Sequence, residues 1–414
     1  MEMDKCFMKK RYLIIISFLI LGSFCWLKFK IDNSANDIIG VYIEGEYSSN
    51  VPLKNSGYYV DKIECDNGSS GEWDYVNWGL LTTNMNKKSK CNVYFKKDTI
   101  VEVIKDELDT TDKCPIVNDD GSVNVTSAES ENSLLCSAPD NYGTSYYYRG
   151  NVSNNYVYFA NFYWRIVRIN GDGSVRMIYD GTKAHENGAA SEDRIIGTSA
   201  FNEKSDDNAY VGYMYGTPGS ATYEETHANI NDSTIKKYVD SWYENNLKGT
   251  NFEQYLADNL FCNNRSFSVN NLGIGAYKSS TNYKWYDISN ALKKVEFFCE
   301  STNDILNSVF LKYPIALLNI DEAILAGGYS SPNSSYYLFS GNLIWAMTAS
   351  SFYNEGKAYV TYVSDGGNAF APNYSSGGYF SSVNTLGKVK PVINLKQGSL
   401  KQGDGTINNP YRIN

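Results

Sequence analysis

An apolar run close to the start of the chain limits what the remaining residues can fold into more than any other feature. Residues 12–27 read YLIIISFLILGSFCWL and follow the basic residues Lys9, Lys10 and Arg11. A membrane-spanning helix needs roughly 17–25 residues, and the apolar core of a secretory signal has about 7–15. The run lies between these lengths, and no small-x-small cleavage site follows it. We therefore expect an uncleaved transmembrane signal anchor, with a cleaved signal as the alternative.

The basic residues on either side of the run predict its orientation. Lys5, Lys9, Lys10 and Arg11 precede the run, whereas Lys28 and Lys30 closely follow it, and positive charge stays on the cytoplasmic side of a membrane. Residues 1–11 are then the cytoplasmic N-terminus, and the chain beyond about Lys30 lies outside the cell. This pattern predicts a single-pass protein of the cell membrane with extracellular C-terminal domains.

The cysteine pattern agrees with export. Six of the cysteines follow the run, and an even number outside the membrane predicts disulfides. Among the connectivities that these cysteines allow, sequence proximity favours Cys65–Cys91, Cys114–Cys136 and Cys262–Cys299. No C-x-x-C spacing is present. We therefore predict no metal site and no cofactor.

The charge balance argues against one class of partner. The chain has 46 acidic and 37 basic residues and a net charge of −9, whereas phosphate backbones are bound by basic surfaces. We therefore predict no nucleic-acid partner. The 35 tyrosines suit a binding surface built from rigid aromatic rings, although codon bias in an AT-rich genome also enriches tyrosine.

Residues 38–97 are predicted to form a small all-β module. Alternating apolar and polar residues, as at 58–65, are typical of antiparallel strands when turn residues separate them. Trp73 and Trp78 would fill a small core. Because so short a segment buries little surface, we expect a disulfide to stabilise it.

This module resembles a small all-β domain that recurs on surface proteins of Gram-positive gut bacteria. The residues that carry the resemblance are Cys65-Asp66-Asn67-Gly68, Gly71-Glu72-Trp73-Asp74, Asn77-Trp78 and Lys90-Cys91-Asn92-Val93-Tyr94-Phe95. The resemblance is one of sequence, and we infer an immunoglobulin-like sandwich as its shape.

Residues 98–155 are predicted to form a linker with little regular structure, held by the pair Cys114–Cys136. The segment is polar and rich in turn residues. Its stretch VNDDGSVN carries acidic side chains that suit calcium, but it lacks the longer loop ending in glutamate that such sites use. A plain turn is the favoured interpretation.

Residues 156–397 are predicted to form a large domain, followed by a tail at 398–414. A strand at 157–169, a Gly-rich turn and a strand at 174–179 predict a hairpin. The further predicted elements are a helix from Ser233 or Thr234 to Gly249, a helix over 252–261, a helical turn capped by Asp321, and strands at 313–318, 343–347, 358–363 and 389–395. The predicted fold class is therefore α+β, with an N-terminal transmembrane helix, the small all-β module and a large α+β domain.

The large domain resembles a bacterial surface-domain family of unknown function. The blocks that carry the resemblance are FYWRIVRINGDGSVRMIYDGT, DNAYVGYMYGT, THANINDSTIKKYVDSWYENNL, YPIALLNIDEAILAGG and VKPVINL. The chain departs from that family at Thr348-Ala349, where the family has Ser-Pro, and at Lys390, where it has arginine. A looser resemblance in element order is to the C-type-lectin-like fold of formylglycine-generating enzymes. No cysteine follows Cys299, so the copper chemistry of those enzymes is not implied.

Few residues suggest catalysis. Glu224, Glu225 and His227 could hold a metal or act as acid and base, but their segment is typical of a solvated loop. His185 lies in a Gly- and Ala-rich loop, and Asp321-Glu322 suits a helix cap. No nucleophile or phosphate-loop motif is present. We therefore predict no catalytic residues and no enzyme activity.

The aromatic stretch near the C-terminus is the predicted ligand site. Rings among turns that carry acid and amide groups suit stacking and hydrogen bonding to a sugar or peptide. The predicted site residues are Trp345, Tyr353, Asp365, Asn368 and Tyr374. The alternative is that about half of the rings in this stretch alternate into the core.

These features together predict a membrane-anchored surface protein with a binding or adhesion role. Its partners would be the membrane, through the N-terminal helix, and a glycan, cell-wall or protein ligand. One alternative is a structural component of a cell-envelope assembly or appendage. A second alternative is an envelope hydrolase that uses carboxylates.

Overall fold

The computed structural model describes most of the chain beyond the apolar run. The described residues are 39–54, 56–75, 77–84, 89–109, 113–125, 133–270, 272–286, 294–328, 333–353, 356–367, 369 and 380–413. The predicted anchor at residues 12–27 lies outside them. Within the described ranges, no helix is long and apolar enough to cross a membrane. The prediction of a single-pass cell-membrane protein is therefore corrected, because no described helix supports it.

The fold is mostly β, which corrects the predicted α+β class. Strands account for 37% of the described residues and helices for 14%. The described residues contain the α-helices α1 Thr99–Lys105, α2 Tyr223–Thr226, α3 Thr234–Asn246 and α4 Ile320–Leu325. Only α3 exceeds two turns, because few stretches of this chain repeat apolar residues at helical spacing.

The strands lie along nearly the whole described chain. They are β1 Ile39–Ile43, β2 Glu46–Ser48, β3 Tyr58–Cys65, β4 Ser70–Asp74, β5 Gly79–Thr83, β6 Cys91–Lys97, β7 Ile116–Val117, β8 Val123–Asn124, β9 Ser133–Asp140, β10 Gly143–Gly150, β11 Tyr156–Phe159, β12 Phe162–Ile169, β13 Val175–Gly181, β14 Gly197–Ala200, β15 Met214–Tyr215, β16 Asn231–Asp232, β17 Phe261–Cys262, β18 Thr281–Asn282, β19 Ile305–Leu306, β20 Ile315–Ala316, β21 Ile344–Tyr353, β22 Lys357–Val363, β23 Phe380–Ser382, β24 Leu386–Val389 and β25 Val392–Leu395.

The first compact unit contains the described residues up to Pro52 and from Val60 to Phe95. Its strands form a sheet in the order β2-β1-β6-β3, with β4 and β5 as a separate hairpin. Strands β1 and β6 pair in parallel, so the expected purely antiparallel arrangement is wrong. Trp73 packs edge-on against Phe95, and the predicted disulfide joins Cys65 to Cys91.

The second compact unit contains residues 53–59 and the chain from Lys96 onward. Its larger sheet has the order β20-β25-β13-β12-β10-β9, with β11 paired to β12. Strands β9 and β10 lie within the predicted linker 98–155, so the expectation of little regular structure there is corrected. Their buried Leu135 and Tyr147 explain why: these side chains pack into the core from a segment whose average composition is polar.

The second sheet of this unit has the order β14-β24-β21-β22-β23, with β18 paired to β21. Helix α3 contacts β14 and β20 and begins as predicted, since the Ser233 side chain accepts a hydrogen bond from the Lys236 amide. Its Ile235 and Val239 are fully buried. The remaining predicted disulfides, Cys114–Cys136 and Cys262–Cys299, are both present.

Two predicted elements near the core have a different structure. The expected helix at 252–261 is a short 3-10 turn at Glu253–Tyr255, after which Ala257 donates its amide to the carbonyl of Asn394 in β25. The expected strand at 157–169 divides into β11 and β12, because Ala160 and Asn161 both adopt positive φ. Two such residues form the tight turn that suits a twisted hairpin.

Candidate functional site

The structure separates the residues of the predicted ligand site. Trp345 is fully buried, and its indole nitrogen donates to the Ser199 carbonyl at 3.0 Å. Asp365 is exposed just beyond the end of β22, whereas Tyr353 pairs with Lys357 at its start. Along a strand that rises about 3.3 Å per residue, these ends lie roughly 20 Å apart. The other two predicted site residues, Asn368 and Tyr374, lie outside the described residues.

Tyr353 instead belongs to a row of four half-buried rings, Tyr286, Tyr353, Tyr359 and Phe380, which we call the aromatic row. The ring centroids of Tyr286 and Tyr353 are 5.9 Å apart. Those of Tyr353 and Tyr359 are 5.4 Å apart, and those of Tyr359 and Phe380 are 5.5 Å apart. Each ring is edge-on to the next, so adjacent rings turn different surfaces outward.

The second sheet places these rings next to one another. Tyr359 in β22 pairs with Ser351 in β21 on one side and Ser382 in β23 on the other. Residues opposite each other across paired strands, or two apart along a strand, point to the same face. Tyr353 is two residues after Ser351, and Phe380 is two residues before Ser382. The row therefore runs diagonally across three strands, with small serines between the rings.

The row sits on a rigid base, and its Tyr353 has a neutral phenol. Phe352, Ala358 and Val360 alternate with the row residues and are fully buried. Burial and a hydrogen bond with Tyr286 raise the pKa of Tyr353 above its usual value, so its phenol stays neutral and available for hydrogen bonding. Of these rings, the predicted ligand site included Tyr353. Tyr286 and Phe380 were not predicted, because they come from segments distant along the chain.

The structure does not assemble Glu224, Glu225 and His227 into a catalytic or metal-binding cluster. His227 is fully buried, stacks on the ring of Tyr223 at 4.1 Å, and shares a 2.9 Å hydrogen bond with the Tyr283 hydroxyl. Burial lowers its pKa well below the usual value, so it stays neutral. Both glutamates are exposed, and the described residues hold no group of three metal-ligating side chains.

His185 forms a contact that the sequence did not suggest. Its Nε2 lies 2.9 Å from Oδ2 of Asp193, which also accepts hydrogen bonds from the amides of Thr182 and Lys183. Burial acts to raise the pKa of Asp193, but the hydrogen bonds from Thr182, His185 and Lys183 outweigh it and lower the pKa to about 2. The pair therefore fixes the loop after β13.

A buried ion network surrounds Asp180, and no sequence pattern predicted it. Asp180 lies 2.7 Å from Arg194, 3.3 Å from Lys390 and 4.0 Å from Arg165, and none of these side chains is exposed. Burial acts to raise the pKa of Asp180, but the three cations hold it below its usual value. Because water has no access, the network links β12, β13 and the segment between β24 and β25 without offering a ligand site.

Of Asp321 and Glu322, only Glu322 takes part in a helix cap as predicted. Asn319, not Asp321, is the residue that caps α4, and Glu322 completes a capping box with it. Glu322 is buried and forms ion pairs with Arg168 and Arg176 of the larger sheet. The Glu322 carboxylate therefore holds α4 against the larger sheet.

The stretch VNDDGSVN forms a turn, as the favoured interpretation expected. Oδ1 of Asp120 accepts hydrogen bonds from the amide and hydroxyl of Ser122. These bonds lower the pKa of Asp120. The carboxylate is thus occupied within its own turn.

The aromatic row combines four half-buried rings with a rigid base. The rings Tyr286, Tyr353, Tyr359 and Phe380 come from four separate segments, so the tertiary fold creates this surface. No family model, no curated protein and no solved structure matches the chain.

Proposed function

We propose that this chain is a non-catalytic binding protein that holds a glycan strand against the aromatic row. The observation that carries the proposal is the line of four half-buried rings across the second sheet. Binding sites for polar organic ligands combine apolar and aromatic surface with a few hydrogen-bonding groups. The row provides both, because three of its four rings are tyrosines, each with a hydroxyl group.

The rings of the row suit an uncharged ligand. The raised pKa of Tyr353 keeps its hydroxyl protonated. Lys357, which pairs with Tyr353 at the end of the row, is exposed and can keep its charge in water beside such a ligand. A neutral polysaccharide can stack its apolar ring faces on the tyrosines and hydrogen-bond through its hydroxyls, without burying a charge.

The disulfides support an encounter with ligands outside the cytoplasm. Cys65–Cys91, Cys114–Cys136 and Cys262–Cys299 are all formed, and such bonds persist in oxidising environments. The hydrolase alternative has no comparable support, because the exposed Glu224 and Glu225 lie near a neutral, buried His227. Neither the envelope assembly nor the hydrolase is favoured by a specific contact among the described residues.

Affinity electrophoresis tests the proposal with named probes. The full chain is run through gels that contain a soluble neutral polysaccharide, with cellulose, chitin and xylan derivatives tested in turn. We expect retardation by at least one of them, and about tenfold weaker retardation for Tyr359→Ala, because the ring lies in the centre of the row.

Tyr277→Ala is the matched control, since this tyrosine is 50% exposed and lies outside the row. It should bind like the unmodified chain. Circular dichroism in the near ultraviolet checks that both variants keep their packing. Failure of every probe to retard the folded chain, or equal retardation of Tyr359→Ala, would contradict the proposal.

A further inference from the structure

Lys284 and Glu296 form an enclosed ion pair in the second unit. Lys284 follows β18, and its Nζ contacts Oε1 of Glu296. Each side chain is only 10% exposed. Two oppositely charged groups removed from water to this extent carry a large desolvation cost. The pair is therefore an unusual feature that the proposed binding function does not use.

A third ionisable group lies beside this pair. Asp321 is fully buried in α4, and its Oδ2 accepts hydrogen bonds from Asn264 at 3.0 Å and from the Trp285 indole at 3.4 Å. Burial raises the pKa of Asp321 to about 6, although the Lys284 ammonium acts in the opposite direction. Glu296 donates its backbone amide toward the same carboxyl. An amine and two carboxyl groups are thus assembled in one water-poor region.

The protonation states of the two carboxyls differ from those of surface acids. Burial raises the pKa of Glu296 to about 7, against the opposing effect of Lys284. The pKa of Lys284 is also raised, because the attraction of Asp321 and Glu296 outweighs its burial. At neutral pH, Glu296 therefore spends part of its time as the uncharged acid, which is the form that an amine can attack.

We propose that Lys284 and Glu296 join through an amide bond between their side chains, with Asp321 relaying the proton. The Lys284 ammonium first passes a proton to the Glu296 carboxylate that it contacts, and the resulting amine attacks Cδ of the protonated carboxyl. A C–N bond forms, and the nitrogen gives its second proton to Asp321. Asp321 passes this proton to the departing hydroxyl as the C–O bond breaks. One water molecule leaves, and no oxidant, reductant or cofactor is needed.

Proximity and exclusion of water favour this reaction. Groups held in contact by a folded chain react as if at very high concentration. An enclosed site also hinders the return of water, and amide formation replaces two costly buried charges with a neutral group. The bond would fix the segment that carries Tyr286, two residues after Lys284, at one end of the aromatic row.

Two other buried lysines show why the reaction is specific to this pair. Lys390 lies 3.3 Å from Asp180, but Arg194 and Arg165 hold that carboxyl in its charged, unreactive form. Lys236 lies between Asp240 and Asp232, and the Asp232 side chain is 34% exposed. Water therefore reaches that group.

Peptide mass spectrometry of the purified full-length chain tests the proposal. Trypsin does not cleave after an acylated lysine, so the cross-linked chain should lack cleavage at Lys284. It should yield a joined Lys284–Glu296 species lighter than the free peptides by one water molecule. Lys284→Met and Glu296→Ala should each abolish this species, whereas Lys390→Met should retain it.

Asp321→Asn tests the relay separately. This variant keeps the shape of the side chain and its hydrogen bonds to Asn264 or Trp285, and we expect loss of the joined species. Recovery of free Lys284 and Glu296 peptides from folded, unmodified chain would overturn the cross-link. A joined species that persists in Asp321→Asn would overturn the role of Asp321. Because the first result is read from the unmodified chain, it stands even where a variant fails to fold.

Discussion

At the scale of single residues, Lys390 is a buried base whose charge works against folding. Burial lowers its pKa to about 7 in the folded chain, despite the attraction of Asp180. An unfolded lysine titrates near its ordinary value of 10.5. At pH values between about 7 and 10.5, Lys390 carries a proton in the unfolded chain but not in the folded chain. The free energy of unfolding therefore rises with pH in this range.

We therefore expect Lys390→Met to flatten the rise in stability between pH 7 and 9. The cost of burying the Lys390 charge is fully present below about pH 7 and vanishes above about pH 10.5. Between these pH values the free energy of unfolding rises by up to about 1.4 kcal/mol per pH unit. Urea unfolding at three pH values measures the slope. Lys388→Met is the control, because Lys388 is partly exposed and forms a surface ion pair with Glu192. Equal slopes for the unmodified chain and Lys390→Met would contradict this assignment.

At the scale of elements, the start of α4 depends on Asn319. Its Oδ1 accepts hydrogen bonds from the Asp321 amide at 2.9 Å and from the Thr348 hydroxyl at 3.1 Å. We expect Asn319→Ala to lower the free energy of unfolding by about 1–2 kcal/mol, since the cap and the hydrogen bond to Thr348 of β21 are both lost. Chemical denaturation measures the change. Asn251→Ala, at an exposed position, is the control and should leave the free energy of unfolding almost unchanged. A similar loss of stability in both variants would contradict the role of Asn319 as a cap.

The disulfide of the first unit is predicted to stabilise its small core. Cys65 and Cys91 are separated by 26 residues, and closing such a loop contributes about 3 kcal/mol in the chain-entropy model. The double variant Cys65→Ser/Cys91→Ser should lower the unfolding temperature of this unit, as followed by fluorescence of Trp73 and Trp78. Adding a reductant to the unmodified chain provides the comparison. An unchanged transition in the double variant would show that the Trp73 core suffices alone.

At the scale of the whole molecule, three disulfides connect the described segments. We expect the protein made in an oxidising compartment to show none of these six thiols under denaturing conditions until a reductant is added. Thiol titration followed by peptide mapping measures this. Full reactivity of all six before reduction would contradict the pairing and the argument for an oxidising environment.

The accuracy of the predictions from sequence differs from one scale to the next. Local signals were reliable at Ser233, where a cap precedes a helical repeat, and at the three cysteine pairs, which are close along the chain. The predicted helix over 252–261 was wrong because the Ala257 amide donates to the Asn394 carbonyl in β25 instead of to a helical partner. The predicted linker was wrong because a polar average concealed buried residues such as Tyr147.

Local sequence patterns were enough to predict the disulfide pairs, the hairpin between β12 and β13 and the start of α3, because each involves residues close to one another along the chain. Tertiary structure decided that Trp345 is buried and that Tyr286, Tyr359 and Phe380 lie beside Tyr353. It likewise brought Lys284, Glu296 and Asp321 together. Strand pairing sets these neighbours, and the order of strands in a sheet depends on contacts summed over the whole core, which no local pattern specifies.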